Sequence, residues 1–275
     1  MVEGFREFLV VDLRRCKRTV QERVWFIRKF LESMGKKACE VNREDVRGYL
    51  RDFSARASSS YYANMVKSLR VFFRDYLQKP DVVSTFKLPK VALTPKNVPT
   101  RTDLLVFYEA LGSLKEKALF LAYASSGLRR MEVLGLTFED VDFEKRMITP
   151  KAHSGETKKS WISFYNKETQ KVLKKYLAER TSGSRKLFPM ASLENHSLWR
   201  DARQKTGLNI TPQRLREWFC VEMSMKGVSS QYVDAFCGRT PRSVLARSYS
   251  DYSAERLKEI YDKANLKAIG VWSAD

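Results

Sequence analysis

Apolar side chains return every three or four positions through the first third of the chain, which is the spacing of one helix face. Val20, Val24, Ile27, Leu31 and Met34 form one such stripe and predict a helix over 19–34, closed by Gly35. Asn42 followed by Glu44 and Asp45 marks a second helix start, with Val46, Tyr49, Leu50 and Phe53 on its buried side. Beyond the turn at Ser58, Ser59 and Ser60, Met65, Leu69, Phe72, Phe73 and Leu77 carry a third long helix that Pro80 stops. The first 85 residues therefore read as an all-helical domain.

Pro89, Pro95 and Pro99 then break the pattern, with Lys87, Lys90, Lys96 and Arg101 between them, so 86–101 reads as an extended linker whose cations could meet phosphates. From 102 to 275 the pattern is helical again, with one exception. The runs 146–151 and 160–164 favour strands and flank a polar stretch whose Ser154-Gly155 suits a hairpin turn. Helices are expected over 114–124, 169–177, 193–206, 212–226, 229–236 and 254–266. The last carries an apolar stripe of Leu257, Ile260, Tyr261, Ala264 and Leu266, which fits packing on its own domain or on a neighbour. The fold class is mainly α with a small antiparallel β-sheet, in two domains, 1–85 and 102–275.

Charge changes this picture from a fold to a partner. Fifty-one Lys and Arg against 32 Asp and Glu give a net charge of +19, and a field of that size favours a polyanion. Of it, +7 falls within the first 85 residues and +12 beyond, so both halves are cationic, as suits a protein gripping double-stranded DNA from two sides. Cys16, Cys39, Cys220 and Cys237 form no C-x-x-C pair, and His153 and His196 are the two histidines, so no zinc site and no metal or cofactor is expected. The thiols read as reduced core residues. No apolar run approaches the roughly 18 residues of a membrane span, and charges run through 1–13, which argues against a leader; a cytoplasmic, DNA-associated protein is expected.

Breaking a phosphodiester without metal requires cations to clamp the phosphate oxygens, a nucleophile in line and an acid for the leaving 5′ oxygen. Suitable side chains lie in four separated places. Gly127 permits a turn ahead of Arg129, and Glu132, one helical turn on, can orient that arginine. The hairpin carries Lys151, Lys158 and Lys159. Thr211-Pro212 starts a helix whose Gln213 and Arg216 share a face. Last come Gly238-Arg239 and two tyrosines, Tyr249 and Tyr252. Each alone has an ordinary reading as a junction, a solvated turn, a packed helix or a surface tyrosine.

Their order and spacing resemble the tyrosine recombinase, or phage integrase, family. Gly127-Leu128-Arg129-x-x-Glu132 with Leu134-Gly135-Leu136 looks like its first arginine box, Thr211-Pro212-x-x-Leu215-Arg216 like its second, and Gly238-Arg239 like its Gly-His or Gly-Trp box. Residues 1–85 resemble its helical core-binding domain, and the stretch from Ser243 to Tyr249 is most similar to archaeal and archaeal-virus integrases, enzymes of mobile elements. The resemblance implies a C-terminal catalytic domain in which Arg129 and Arg216 clamp the scissile phosphate, Lys151 (with Lys158 as alternative) is the general acid, and Tyr249 (with Tyr252 as alternative) forms a 3′-phosphotyrosine. It also implies a homo-oligomer, four protomers on two duplexes, performing site-specific DNA recombination. Two positions depart from the pattern. Gln213 stands where histidine is usual and cannot exchange a proton near neutral pH. Arg239 stands where histidine or tryptophan is usual and can still donate to a phosphate oxygen. These departures keep open a DNA-binding regulator on a degenerate integrase fold, and the shared chemistry keeps open a topoisomerase-like DNA-relaxing enzyme.

Overall fold

The structure is a computed structural model that describes residues 1–90, 97–150, 162–239, 243, 244 and 248–270. The chain divides into two compact units, Met1–Pro95 and Lys96–Asp275.

The first unit contains helices α1 (Val2–Val11), α2 (Lys17–Met34), α3 (Arg43–Ser54) and α4 (Ser59–Arg70). Asn42 starts α3 through a capping box: its side chain accepts from the Asp45 amide while the Asp45 carboxylate accepts from the Asn42 amide. Gly35 closes α2 at a positive φ, as its position predicts. The buried face of α2 is wider than the expected stripe, since Phe26 and Phe30 join Val20, Val24 and Ile27 inside. The third long helix differs from expectation at its end. After Arg70 the winding loosens into a π-helical stretch, Val71–Tyr76, and the chain turns at Gln78 with φ 55°, before Pro80. Lys79, with φ −117° and ψ 68°, has already left the helical region that the following proline disfavours for it. Within this stretch Phe72 meets Phe5 edge-on at 5.0 Å and Phe73 meets Phe30 at 5.9 Å, so the aromatic core fixes where the helix ends.

The second unit is organised around α6 (Leu114–Ser126), in which every residue from Ala118 to Ser126 is buried. Helix α5 (Arg101–Glu109) precedes it and α7 (Arg130–Gly135) follows; α8 (Lys167–Glu179), α9 (Ser192–Thr206), α10 (Pro212–Met225), α11 (Ser230–Phe236) and α12 (Ala254–Ala264) complete the described helices. Three short strands, β1 (Val141–Asp142), β2 (Met147–Ile148) and β3 (Ser163–Phe164), pair antiparallel in that order, with Val141 opposite Ile148 and Ile148 opposite Ser163. Strand β1 was not expected, because two residues are too few to show a period of two. The hairpin turn itself, 151–161, lies outside the described residues.

Helix α12 packs on its own unit. Leu257 and Tyr261 are fully enclosed, and the Tyr261 hydroxyl donates to the Ser125 carbonyl of α6 at 2.7 Å. The segment after α12 is held as well: Asn166 donates to the Leu266 carbonyl, and the buried Glu168 carboxylate accepts from the amides of Ala268 and Gly270. Among the described residues no helix is long and apolar enough to cross a membrane.

Candidate active site

The site begins at the end of α6. Ser126 is followed by Gly127, whose φ of 65° takes the chain out of the helix. A Cβ here would lie 2.4 Å from the Phe219 ring of α10, so both backbone angle and packing demand glycine. The turn delivers Arg129 to the N-cap of α7. There the Glu132 carboxylate accepts from the Arg129 amide through one oxygen and from Nη1 through the other, both at 2.7 Å. One acid thus caps the helix and aims the guanidinium, as the one-turn spacing predicts.

On α10, Thr211 caps the helix by accepting from the Arg214 amide, and Pro212 occupies the first turn. Arg216 follows one turn later and is 5 % exposed. Its Nη1 donates to the Gly127 carbonyl at 2.5 Å and its Nη2 to the Cys237 carbonyl at 2.7 Å. Arg129 Nη2 donates to the next carbonyl, Gly238, at 3.2 Å. The first, second and third sequence boxes therefore converge, joined by two guanidiniums and three backbone carbonyls. Burial, and after it the charges of Arg129 and Arg239, lower the Arg216 pKa from its ordinary value. An arginine remains protonated under such a shift, so this is a buried, concentrated positive charge.

The remaining expected residues fall into three groups. Arg239 leaves the turn with its guanidinium on Asp234 at 2.9 Å, half in solvent. Gln213 is exposed, with its amide near Glu217 at 3.3 Å, and borders the same cleft as Arg216. Arg214 points elsewhere and donates to the Asn97 carbonyl. Tyr249 is 79 % exposed and hydrogen-bonds to neither arginine, whereas Tyr252 is half-buried, its ring edge-on to Tyr232 at 5.9 Å. Of the two tyrosines, Tyr249 is the one presented to solvent. Lys151 and Lys158 lie outside the described residues.

Of the four cysteines expected to be reduced core residues, Cys16 and Cys39 are exposed, and the other two form a feature that expectation missed. Cys220 of α10 and Cys237 at the end of α11 are free thiols with sulfurs 3.4 Å apart. The hydrogen bond from Cys237, then the charges of Arg239 and Arg216, bring the Cys220 pKa down to about 7, while the same contact and burial push Cys237 up. The sequence signal was the position of Cys237 directly before Gly238-Arg239, in the turn that both arginines grip.

A fold of this kind, with two arginines gathered from distant boxes and a tyrosine downstream, defines a class of phosphodiester strand-transfer enzymes. The sequence model of the phage integrase family matches residues 100–256. The chain belongs to that family, the tyrosine site-specific recombinases. It is 25 % identical over 284 residues to the tyrosine recombinase XerA of Pyrococcus furiosus, covering 97 % of this chain and 94 % of that protein. Its fold is similar to that of the Tn1549 transposon integrase in complex with circular intermediate DNA, with a TM-score of 0.68 at 15 % identity over 94 % of this chain and 98 % of that one. It is equally similar to a lambda integrase dimer bound to a COC′ core site, with a TM-score of 0.68 at 12 % identity over 100 % and 97 %.

Proposed function

We propose that this recombinase cuts and rejoins duplex DNA with Tyr249 as the nucleophile and Arg129 and Arg216 as the clamp on the scissile phosphate. The carrying observation is the convergence of those two guanidiniums on the turn at Cys237 and Gly238, which leads toward an exposed tyrosine. The Tyr249 phenol oxygen bonds to phosphorus, the phenol proton passes to water, and the bond from phosphorus to the 5′ oxygen breaks. Lys151, or Lys158 in its place, supplies the proton to that leaving oxygen. The arginines neutralise charge that grows on the phosphoryl oxygens. The 3′-phosphotyrosine keeps the bond energy, so a partner 5′ hydroxyl reverses the step without ATP or metal. Arg239 adds a donor at the mouth of the site, and Gln213 adds hydrogen bonding without proton exchange.

In this reading the first unit is the core-binding domain that also grips the duplex, and the active assembly is a tetramer on two duplexes. The relative described as a dimer on its core site supports assembly on DNA. The protein works in the compartment that holds the DNA.

A nicked suicide duplex tests the chemistry. The expected result is a covalent protein–DNA band on a denaturing gel that Tyr249→Phe abolishes and Tyr252→Phe retains. Loss only in Tyr252→Phe moves the nucleophile. Tight binding to a candidate site with no band in wild type replaces recombination with regulation.

A further inference from the structure

Beside Arg216 lies an open cleft of about 420 Å3 between α7, α9 and the start of α10. Its basic lining is Arg130, His196, Arg200, Arg203 and Arg216, with Gln213 at the edge; Arg200 is ion-paired with Asp201 at 3.0 Å, and no carboxylate is among the described residues of the wall. His196, Arg200 and Arg203 stand at i, i+4 and i+7 and so present one face of α9 to it. The first turn of α10, a 14-residue helix, opens on the same space and adds the partial positive charge of a helix N-terminus.

The polar groups in this cleft are arranged for an anion. Arg130 Nη2 sits 3.5 Å from His196 Nε2. The two side chains thus face the same space, a guanidinium that can only donate beside an imidazole with two nitrogens. Arg130 Nε is buried with no hydrogen-bond partner among the described residues. Besides the paired Arg200, the guanidiniums of Arg130, Arg203 and Arg216 repel one another in one concavity, and an arriving anion relieves that repulsion while giving the orphaned donor a partner. The cleft also returns an imidazole to a site in which Gln213 occupies the place where the family resemblance puts histidine. Here it comes from a different helix.

We propose that this cleft binds a second backbone phosphodiester of the DNA, distinct from the scissile one, with His196, Arg130 and Arg203 as its ligands. The proposal rests on the DNA-cleaving reading and names a contact that reading does not contain. Arg216 borders both spaces, so the second phosphate sets the register in which the scissile phosphate reaches the Arg129–Arg216 clamp.

Methylphosphonate substitution tests it, because a neutral methyl replaces one phosphate oxygen at a time along the suicide duplex. In wild type, several positions besides the scissile phosphate are expected to weaken binding, among them one seated in the cleft, by about tenfold, as the loss of a charge-assisted contact does. His196→Ala and Arg203→Ala, both at exposed positions, are each expected to weaken the unmodified duplex by a similar factor and to make that one methylphosphonate silent. In Arg203→Ala, which removes a cation, the slope of log affinity against log salt should fall by about 0.9, the amount for one phosphate, whereas His196→Ala should leave it nearly unchanged. His196→Gln, which keeps a hydrogen-bonding head, should retain more affinity than His196→Ala. If the variant and methylphosphonate losses simply multiply, the cleft does not hold that phosphate and the proposal is overturned. It is overturned as well if wild type responds at the scissile position only. Absence of a covalent adduct in wild type, together with no sensitive phosphate, would instead sink the underlying cleavage reading.

Discussion

Arg216 illustrates how one side chain can be both a chemical group and a structural tie. Its two terminal nitrogens satisfy buried carbonyls from turns 89 residues upstream and 21 downstream. Arg216→Ala leaves both acceptors unpaired and opens a space, with an expected loss of about 2–4 kcal/mol in urea denaturation beyond the loss of adduct. Arg216→Lys keeps the charge but reaches only one carbonyl, and should recover about half of that stability while remaining defective in cleavage. The neighbouring thiols give a second prediction. The hydrogen bond from Cys237 and the nearby arginines lower the Cys220 pKa to about 7. Alkylation of Cys220 by iodoacetamide, resolved from the exposed Cys16 and Cys39 by peptide mass, should therefore reach its plateau at a lower pH than an ordinary thiol does. Cys237→Ala removes the main cause of the shift and should move that pH upward. A plateau at no lower pH than that of an ordinary thiol in the unaltered protein would contradict the hydrogen-bonded pair.

At the scale of elements, the turn between α6 and α7 is the most constrained joint of the site. Gly127→Ala meets both a positive φ and a Cβ 2.4 Å from the Phe219 ring, so an expected destabilisation of about 2–4 kcal/mol should show in thermal unfolding. Phe219→Leu in the same chain removes part of the clash. The double variant should then lose less than the sum of the two single losses, whereas strict additivity would assign the cost to backbone angle alone. Much of this region was legible in advance. The 3.6-residue period found the helices, and a glycine before an arginine with an acid one turn later found the Arg129–Glu132 pair. What was not legible has physical reasons. A two-residue strand carries no period, and the end of the third helix is set by Phe5 and Phe30 packing, not by the proline that follows. The carbonyl of Cys237 that Arg216 grips is one every residue possesses, so that contact left no mark in the sequence, and its thiol meets Cys220 only through the fold. His196 lies in a helix whose own pattern is ordinary, and only its neighbour Arg130, 66 residues away, gives it a setting.

At the scale of the whole molecule, a +19 charge shared by two units predicts binding dominated by released counterions. If about six to ten phosphates are contacted, affinity for duplex should fall by roughly 10³–10⁵ between 50 and 200 mM salt. Fluorescence anisotropy across that range checks this, and a flat response would contradict a basic clamp.

The grip of Arg129 on the Gly238 carbonyl, 109 residues later in the chain, has a consequence for how the protein is made. During synthesis the first arginine box emerges long before the residues that hold it in place, and Glu168 waits until Gly270 for its last amide partner. A half-made chain thus carries the first arginine box without the Gly238 carbonyl that holds it. Under the proposed mechanism such a chain cannot cut, because the turn at Cys237 and Gly238 and the proposed nucleophile Tyr249 all come after both arginine boxes.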